Sequence, residues 1–185
     1  TYINYQLKVT RLMTNITQPM LETIEKELQQ QVARLNQPRT KQFHEMLTYH
    51  MGWTGEGAGP LATGKRIRPL ITLLSVSSAF DKKEGSEKNT ASNWLHAKSA
   101  AAAIELIHNF SLVHDDIQDN SDLRRGRRTV WVKWGAPMAI NVGDAMFVIA
   151  NQAILDLIEY YPADMVVKAA RILNDCCLDL TRGQF

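Results

Sequence analysis

Two cysteines, Cys176 and Cys177, are all the sequence contains; being adjacent, they suit neither a mutual disulfide nor, with so few sulfur ligands, a structural zinc site. A reducing, cytoplasmic compartment is the setting expected of such a chain. An excess of one charge is missing as well. The 21 basic and 19 acidic side chains leave a formal charge of +2 over 185 residues, so nothing global selects nucleic acid or a membrane surface as partner. No apolar run approaches the roughly 20 residues of a membrane-spanning helix, and the polar opening Thr1 to Arg11 lacks a signal peptide's apolar core. Alternating runs long enough for a sheet, repeats at a fixed period and low-complexity tracts are absent too, which leaves an all-α class.

What is present is helical periodicity. With 45% hydrophobic residues the chain can bury one core, so residues 1–185 read as a single helical domain. Leu21, Ile24, Leu28, Val32 and Leu35 recur at three- and four-residue steps, an amphipathic helix that Pro38 ends. Residues 52–64, with Gly52, Gly55, Gly57, Gly59 and Pro60, read as a flexible loop. Pro69 fits a first helical turn, and Leu70, Ile71, Leu73, Leu74 and Val76 predict a helix buried on most sides. Lys82 to Thr90 is a polar connection, followed by the most helical stretch, Ser92 to about Asp119, with Ser92 as its cap. Pro137 to Tyr160 and Ala163 to Leu180 complete a set of five or six helices.

Charge is local. Asp115, Asp116 and Asp119 form DDIQD at the end of the long helix, with Asp115 and Asp119 on one face. Like charges this close repel, and carboxylate oxygens suit a hard cation such as magnesium, which keeps waters and bridges to phosphates. His108 and Ser111 share that stripe, and Arg124, Arg125, Arg127 and Arg128 follow closely. Two readings stand: surface ion pairs worth at most about 1 kcal/mol each, or a magnesium cage facing a guanidinium clamp.

Lys65, Arg66 and Arg68 place three cations at the start of a helix, where exposed N–H groups already favour anions and a diphosphate would fit. GPLATGK, residues 59–65, imitates a nucleotide-binding phosphate loop. It fails because Arg66 stands where Ser or Thr is required and no strand precedes it.

The segment IELIHNFSLVHDDIQDNSDLRRGRRTVW, together with GKRIRP and AINVGDAMF, resembles the trans-isoprenyl diphosphate synthases from about Tyr49 to Gln184. That resemblance implies an isoprenoid synthase-type helical bundle around a central cavity, of which the chain holds the front half. It also implies a prenyltransferase joining isopentenyl diphosphate to an allylic diphosphate. By matching position, Asp115 and Asp119 would hold magnesium, Asp116 would support them, and Arg124 would grip the allylic diphosphate. Lys65, Arg68, His108 and Arg125 would bind isopentenyl diphosphate. Phe110 and Ser111, five and four residues before the first aspartate, would influence chain length. The resemblance favours a C20 product over C15, although Phe110 lies about 140° from Asp115 around the helix and reads equally as core.

The family's second aspartate-rich motif is expected beyond Phe185. Asp175 and Asp179 share a face but match no family ligand and read as surface acids. A shortened synthase, a split enzyme whose partner chain carries the second motif, and a non-catalytic regulatory subunit remain open. Each is expected to assemble as a homo- or hetero-oligomer through exposed apolar surface. A terpene cyclase is disfavoured, because it has no second diphosphate for Lys65, Arg68 and the Arg124–Arg125 pair to hold.

Overall fold

The computed structural model describes residues 2–81 and 90–184, with side chains described at 15–79 and 93–184. Eight α-helices occur among them: α1 (Tyr2–Val32), α2 (Lys41–His50), α3 (Pro60–Thr63), α4 (Ile67–Asp81), α5 (Lys98–Gln118), α6 (Val130–Trp134), α7 (Ala136–Leu155) and α8 (Ala163–Gln184). Strands β1 (Leu123–Arg124) and β2 (Arg127–Arg128) add a two-residue hairpin. The all-α class therefore holds, with that small exception.

Helix α5 lies at the centre, packed against α7, α4 and α1. Small residues allow the closest of these approaches: Ala101, Ala102 and Ala103 on α5 are fully buried, as are Ala139, Ala150 and Ala153 on α7. The stripe predicted on α1 is real, since Ile24, Leu28 and Val32 are completely enclosed. Burying such a side chain contributes about 1.5–3 kcal/mol, so this face fixes α1 on the bundle.

Several expectations change. Helix α4 buries one stripe, centred on Leu73, while Ile67 and Ile71 stay exposed, so it is not enclosed on most sides. The long helix begins at Lys98, after a 3₁₀ segment Thr90–Ala97. Residues 82–89 of the expected polar connection lie outside the described residues, and so does the side chain of its proposed cap, Ser92. The loop of residues 52–64 contains the single turn α3. Residues 136–159 are, by length and composition, apolar enough to cross a membrane, contrary to the reading that no run approaches that length. In the fold their buried face, Ala139, Val142, Met146, Ile149 and Ala153, packs into the core.

Candidate functional site

The acidic motif sits where α5 stops, and the stop is chemically specified. Asn120 adopts positive φ (52°), and Ser121 and Asn120 donate their N–H groups to Asp116 O and Ile117 O, closing the helix in a Schellman-type turn. Three aspartates thus crowd the negative end of a helix dipole, an arrangement that favours a bound cation.

The three do not act alike. Asp116 turns inward and is 2% exposed; its Oδ1 accepts from Arg124 Nε at 2.8 Å and Nη2 at 2.7 Å. Burial raises its pKa, and Arg124 opposes that rise. Asp115 is half-buried and accepts only from Gln184 Nε2, at 3.1 Å, while Asp119 is exposed; neither makes an ion pair among the described residues. Beside them, His114 lies against the backbone of Gly143, where an added Cβ would stand 2.3 Å from its Nε2.

Among the described residues no three His, Cys, Asp or Glu side chains form a closed metal-ligand group. Two unpaired carboxylates one helical turn apart nevertheless fit magnesium, which takes one or two carboxylates and completes its octahedron with water and phosphate. Asp116, committed to Arg124, is not part of that pair. Asp175 is exposed and Asp179 pairs with Arg182 on the surface, as expected of surface acids.

The basic residues divide between structure and cleft. Arg66, counted in the sequence among three anion-facing cations, is 5% exposed and turned inward at positive φ (48°). It pairs with Glu25 and Glu105, each at 3.0 Å, and Glu25 also accepts from Trp53 Nε1. That leaves Lys65 and Arg68, both exposed. Arg125 and Gly126 both have positive φ (53° and 74°), as a tight two-residue hairpin turn requires. The turn lays the Arg125 guanidinium over Gly64, where a Cβ would meet it at 2.9 Å, and Arg125 Nη1 donates to Ala62 O at 2.7 Å.

Arg127 has a role the sequence did not disclose. It donates to the carbonyls of Tyr49 (2.7 Å), Thr54 (2.6 Å) and Glu56 (2.9 Å), and its guanidinium lies 4.0 Å from the Tyr49 ring centroid. Together with Arg125 on Ala62, this side chain straps the glycine-rich loop to the hairpin.

Between α4, α5 and α8 runs a cleft of about 560 Å³, walled by Ile104, Ile107, Ile154, Ile172, Leu173 and Leu180. Arg68, His108 and Ser111 also line it, so a guanidinium, an imidazole and a hydroxyl meet an apolar channel. Burial and then Arg68 lower the pKa of His108, which keeps the imidazole neutral near pH 7. A second space of about 170 Å³, lined by Phe110, His114, Asp115 and Gln118, shares Ser111 and Leu180 with the first. Phe110 packs on Phe147 (centroids 5.3 Å apart) and edge-on to His114 (5.2 Å), joining core and cavity. Of the predicted acidic and basic residues, Arg68, His108 and Asp115 line these two adjoining cavities; Asp116, Arg124 and Arg125 border a separate, smaller space, and Lys65 and Asp119 line none of the three.

The family model described as polyprenyl synthetase matches residues 59–185. The chain is 35% identical over 178 residues to a (2E,6E)-farnesyl diphosphate synthase of Mycobacterium tuberculosis, covering 93% of this chain and 44% of that protein. It is 40% identical over 124 residues to a geranylgeranyl pyrophosphate synthase of Geoglobus acetivorans, covering 67% of this chain and 35% of the relative. The solved structure of a geranylgeranyl pyrophosphate synthetase from the same archaeon superposes with a TM-score of 0.73 at 29% identity, covering 92% of this chain and 47% of that one. A polyprenyl synthetase from Streptomyces coelicolor gives 0.71 at 32% identity, covering 92% and 46%. The chain thus spans less than half the length of these relatives.

Proposed function

The chain belongs to the polyprenyl synthetase family, and on that premise we propose that it carries one wall of a prenyltransferase that joins isopentenyl diphosphate to an allylic diphosphate. One observation carries the reading: an apolar cleft whose lining includes Arg68, His108 and Ser111 adjoins, through Ser111 and Leu180, the space lined by Asp115. A ligand with a diphosphate head and a hydrocarbon tail matches that division of polarity.

Asp115 and Asp119 would hold magnesium, which when bound neutralises negative charge gathering on the departing diphosphate. Arg124, anchored by Asp116, presents its remaining N–H groups to that diphosphate, and a guanidinium already in place loses little freedom when it binds. Lys65, Arg68, His108 and Arg125 receive the second diphosphate. Neutral His108 offers a hydrogen bond there without adding to the cationic crowd. The isoleucine and leucine walls keep water from the carbocation left by ionisation. Phe110 and Ser111 limit the growing tail to fifteen or twenty carbons, the products named for the relatives.

The test is incorporation of labelled isopentenyl diphosphate. The native protein containing this sequence, given magnesium and dimethylallyl, geranyl or farnesyl diphosphate, should form acid-labile, solvent-extractable products. Asp115→Ala should reduce the rate about a hundredfold or more. No elongation with any starter sinks the proposal.

A further inference from the structure

Near the site lies a small space that the prenyl-transfer reading leaves without a role. It measures about 20 Å³ and is lined by Tyr49, His50, Asp116, Arg124, Arg125 and Thr129, among others. Two polar atoms of its lining residues are fully buried and have no hydrogen-bond partner: Nε2 of His50 and Oδ2 of Asp116. Asp116 is 2% exposed, so Oδ2 cannot turn to solvent, and its other oxygen is already occupied by Arg124. Part of His50 reaches the surface, but its Nε2 does not. Two such atoms left unsatisfied would keep the full desolvation penalty of a buried polar group. A space needs roughly 10–15 Å³ to seat a water, so this one has room for a single molecule and little else.

The geometry points to one ordered water that bridges Asp116 Oδ2 and His50 Nε2, making His50 a positioning residue for the Asp116–Arg124 pair. The water donates one O–H to the carboxylate and the other to the lone pair of a neutral imidazole. Its oxygen then faces the guanidinium groups of Arg124 and Arg125, which border the same space. The imidazole stays neutral because burial, then Arg125, then Arg124, lowers its pKa to about 3, against a hydrogen bond with Asn109 that favours the charged form. Held at both oxygens, the Asp116 carboxylate has no freedom to rotate, so the guanidinium bound to it points consistently toward the diphosphate. The last residue of α2 is thereby joined to the end of α5 through a bond that neither helix could make alone.

This inference deepens the proposed prenyl transfer and rests on Arg124 serving a diphosphate, yet its tests read out separately. A crystal structure at a resolution that shows water should place one molecule within hydrogen-bonding distance of both atoms; an empty space, or a direct contact between His50 and Asp116, overturns the idea. In the same protein, His50→Phe fills the volume without an acceptor. The solvent exchange of the Arg124 Nε–H proton, followed by ¹⁵N NMR, should then quicken about fivefold, and binding of inorganic pyrophosphate with magnesium should weaken by about the same factor. His50→Gln, which restores an acceptor, should recover both to within about twofold. Unchanged exchange in the Phe variant overturns the bridge, as does a Gln variant no better than Phe. A wild-type protein that fails to elongate any starter would sink the prenyl-transfer reading while leaving the water and the exchange measurement intact.

Discussion

Residues 64–69 and 123–128 both carry basic runs, and the two divide their cations in the same manner by different chemistry. In the first, Arg66 turns inward to Glu25 and Glu105 while Lys65 and Arg68 stay exposed. In the second, Arg127 turns inward to three backbone carbonyls, while Arg124 and Arg125 border the small space beside Asp116 and Arg128 is exposed. One arginine in each run is structural and its neighbours are available to anions. The first anchor is a buried ion pair and needs its counter-charges; the second is a cation satisfied by peptide dipoles and needs none.

Breaking the first anchor should have the largest effect. Arg66→Met leaves Glu105 buried without its cation, and such an orphaned charge costs about 3–5 kcal/mol, to be read from urea denaturation. Arg127→Met removes three hydrogen bonds and a cation–π contact but strands no charge, so the loss should be smaller, about 3 kcal/mol. If the two variants lose the same stability and both regain it when Glu105 is also made Gln, the distinction between ion-pair and dipole anchoring is wrong.

Both runs bear on His50, since Arg125, Arg124 and Arg66 all help to hold its pKa at about 3. The sign follows from proton linkage. A histidine whose folded pKa lies below its unfolded value of about 6.5 binds fewer protons when folded, so its contribution is complete above pH 6.5 and declines as pH falls toward 3. The slope in that window is at most about 1.4 kcal/mol per pH unit, and His50→Phe should flatten it in an acid titration followed by circular dichroism. The smallest structural effect belongs to the outward residues. Arg68→Ala should alter stability by less than about 0.5 kcal/mol while weakening isopentenyl diphosphate binding about tenfold by calorimetry. A large loss of stability there would erase the contrast with Arg66.

The contrast also explains what the sequence disclosed. Spacing alone placed Asp115 and Asp119 on one edge of α5, because helical geometry fixes the direction of residues four apart. A run of cations carries no such information: Arg66 points inward only because Glu25 and Glu105, 41 and 39 residues away, meet at its backbone kink. His50 gives no signal, being a lone histidine at the end of a helix that the sequence pattern does not mark. Helix α2 has few apolar positions, Phe43, Met46, Leu47 and Tyr49, between Pro38 and the glycine-rich stretch, and its buried face appears only against the bundle. Helix α6, with sequence VWVKW, has the β-branched and aromatic content of a strand and owes its helicity to tertiary context. The α1 stripe was legible because its repeat runs over several turns.

The strap made by Arg127 has a consequence for how the protein is made. The carbonyls it holds lie 71 to 78 residues earlier in the polypeptide, and Arg125 reaches back 63 residues to Ala62. During synthesis the glycine-rich loop therefore leaves the ribosome before these two arginines exist, and until they arrive it has only its own backbone hydrogen bonds and its contacts to earlier residues such as Thr48 and Glu25. The hairpin then adds the last four hydrogen bonds to this stretch, so the two basic runs reach their final separation only when the later one has docked.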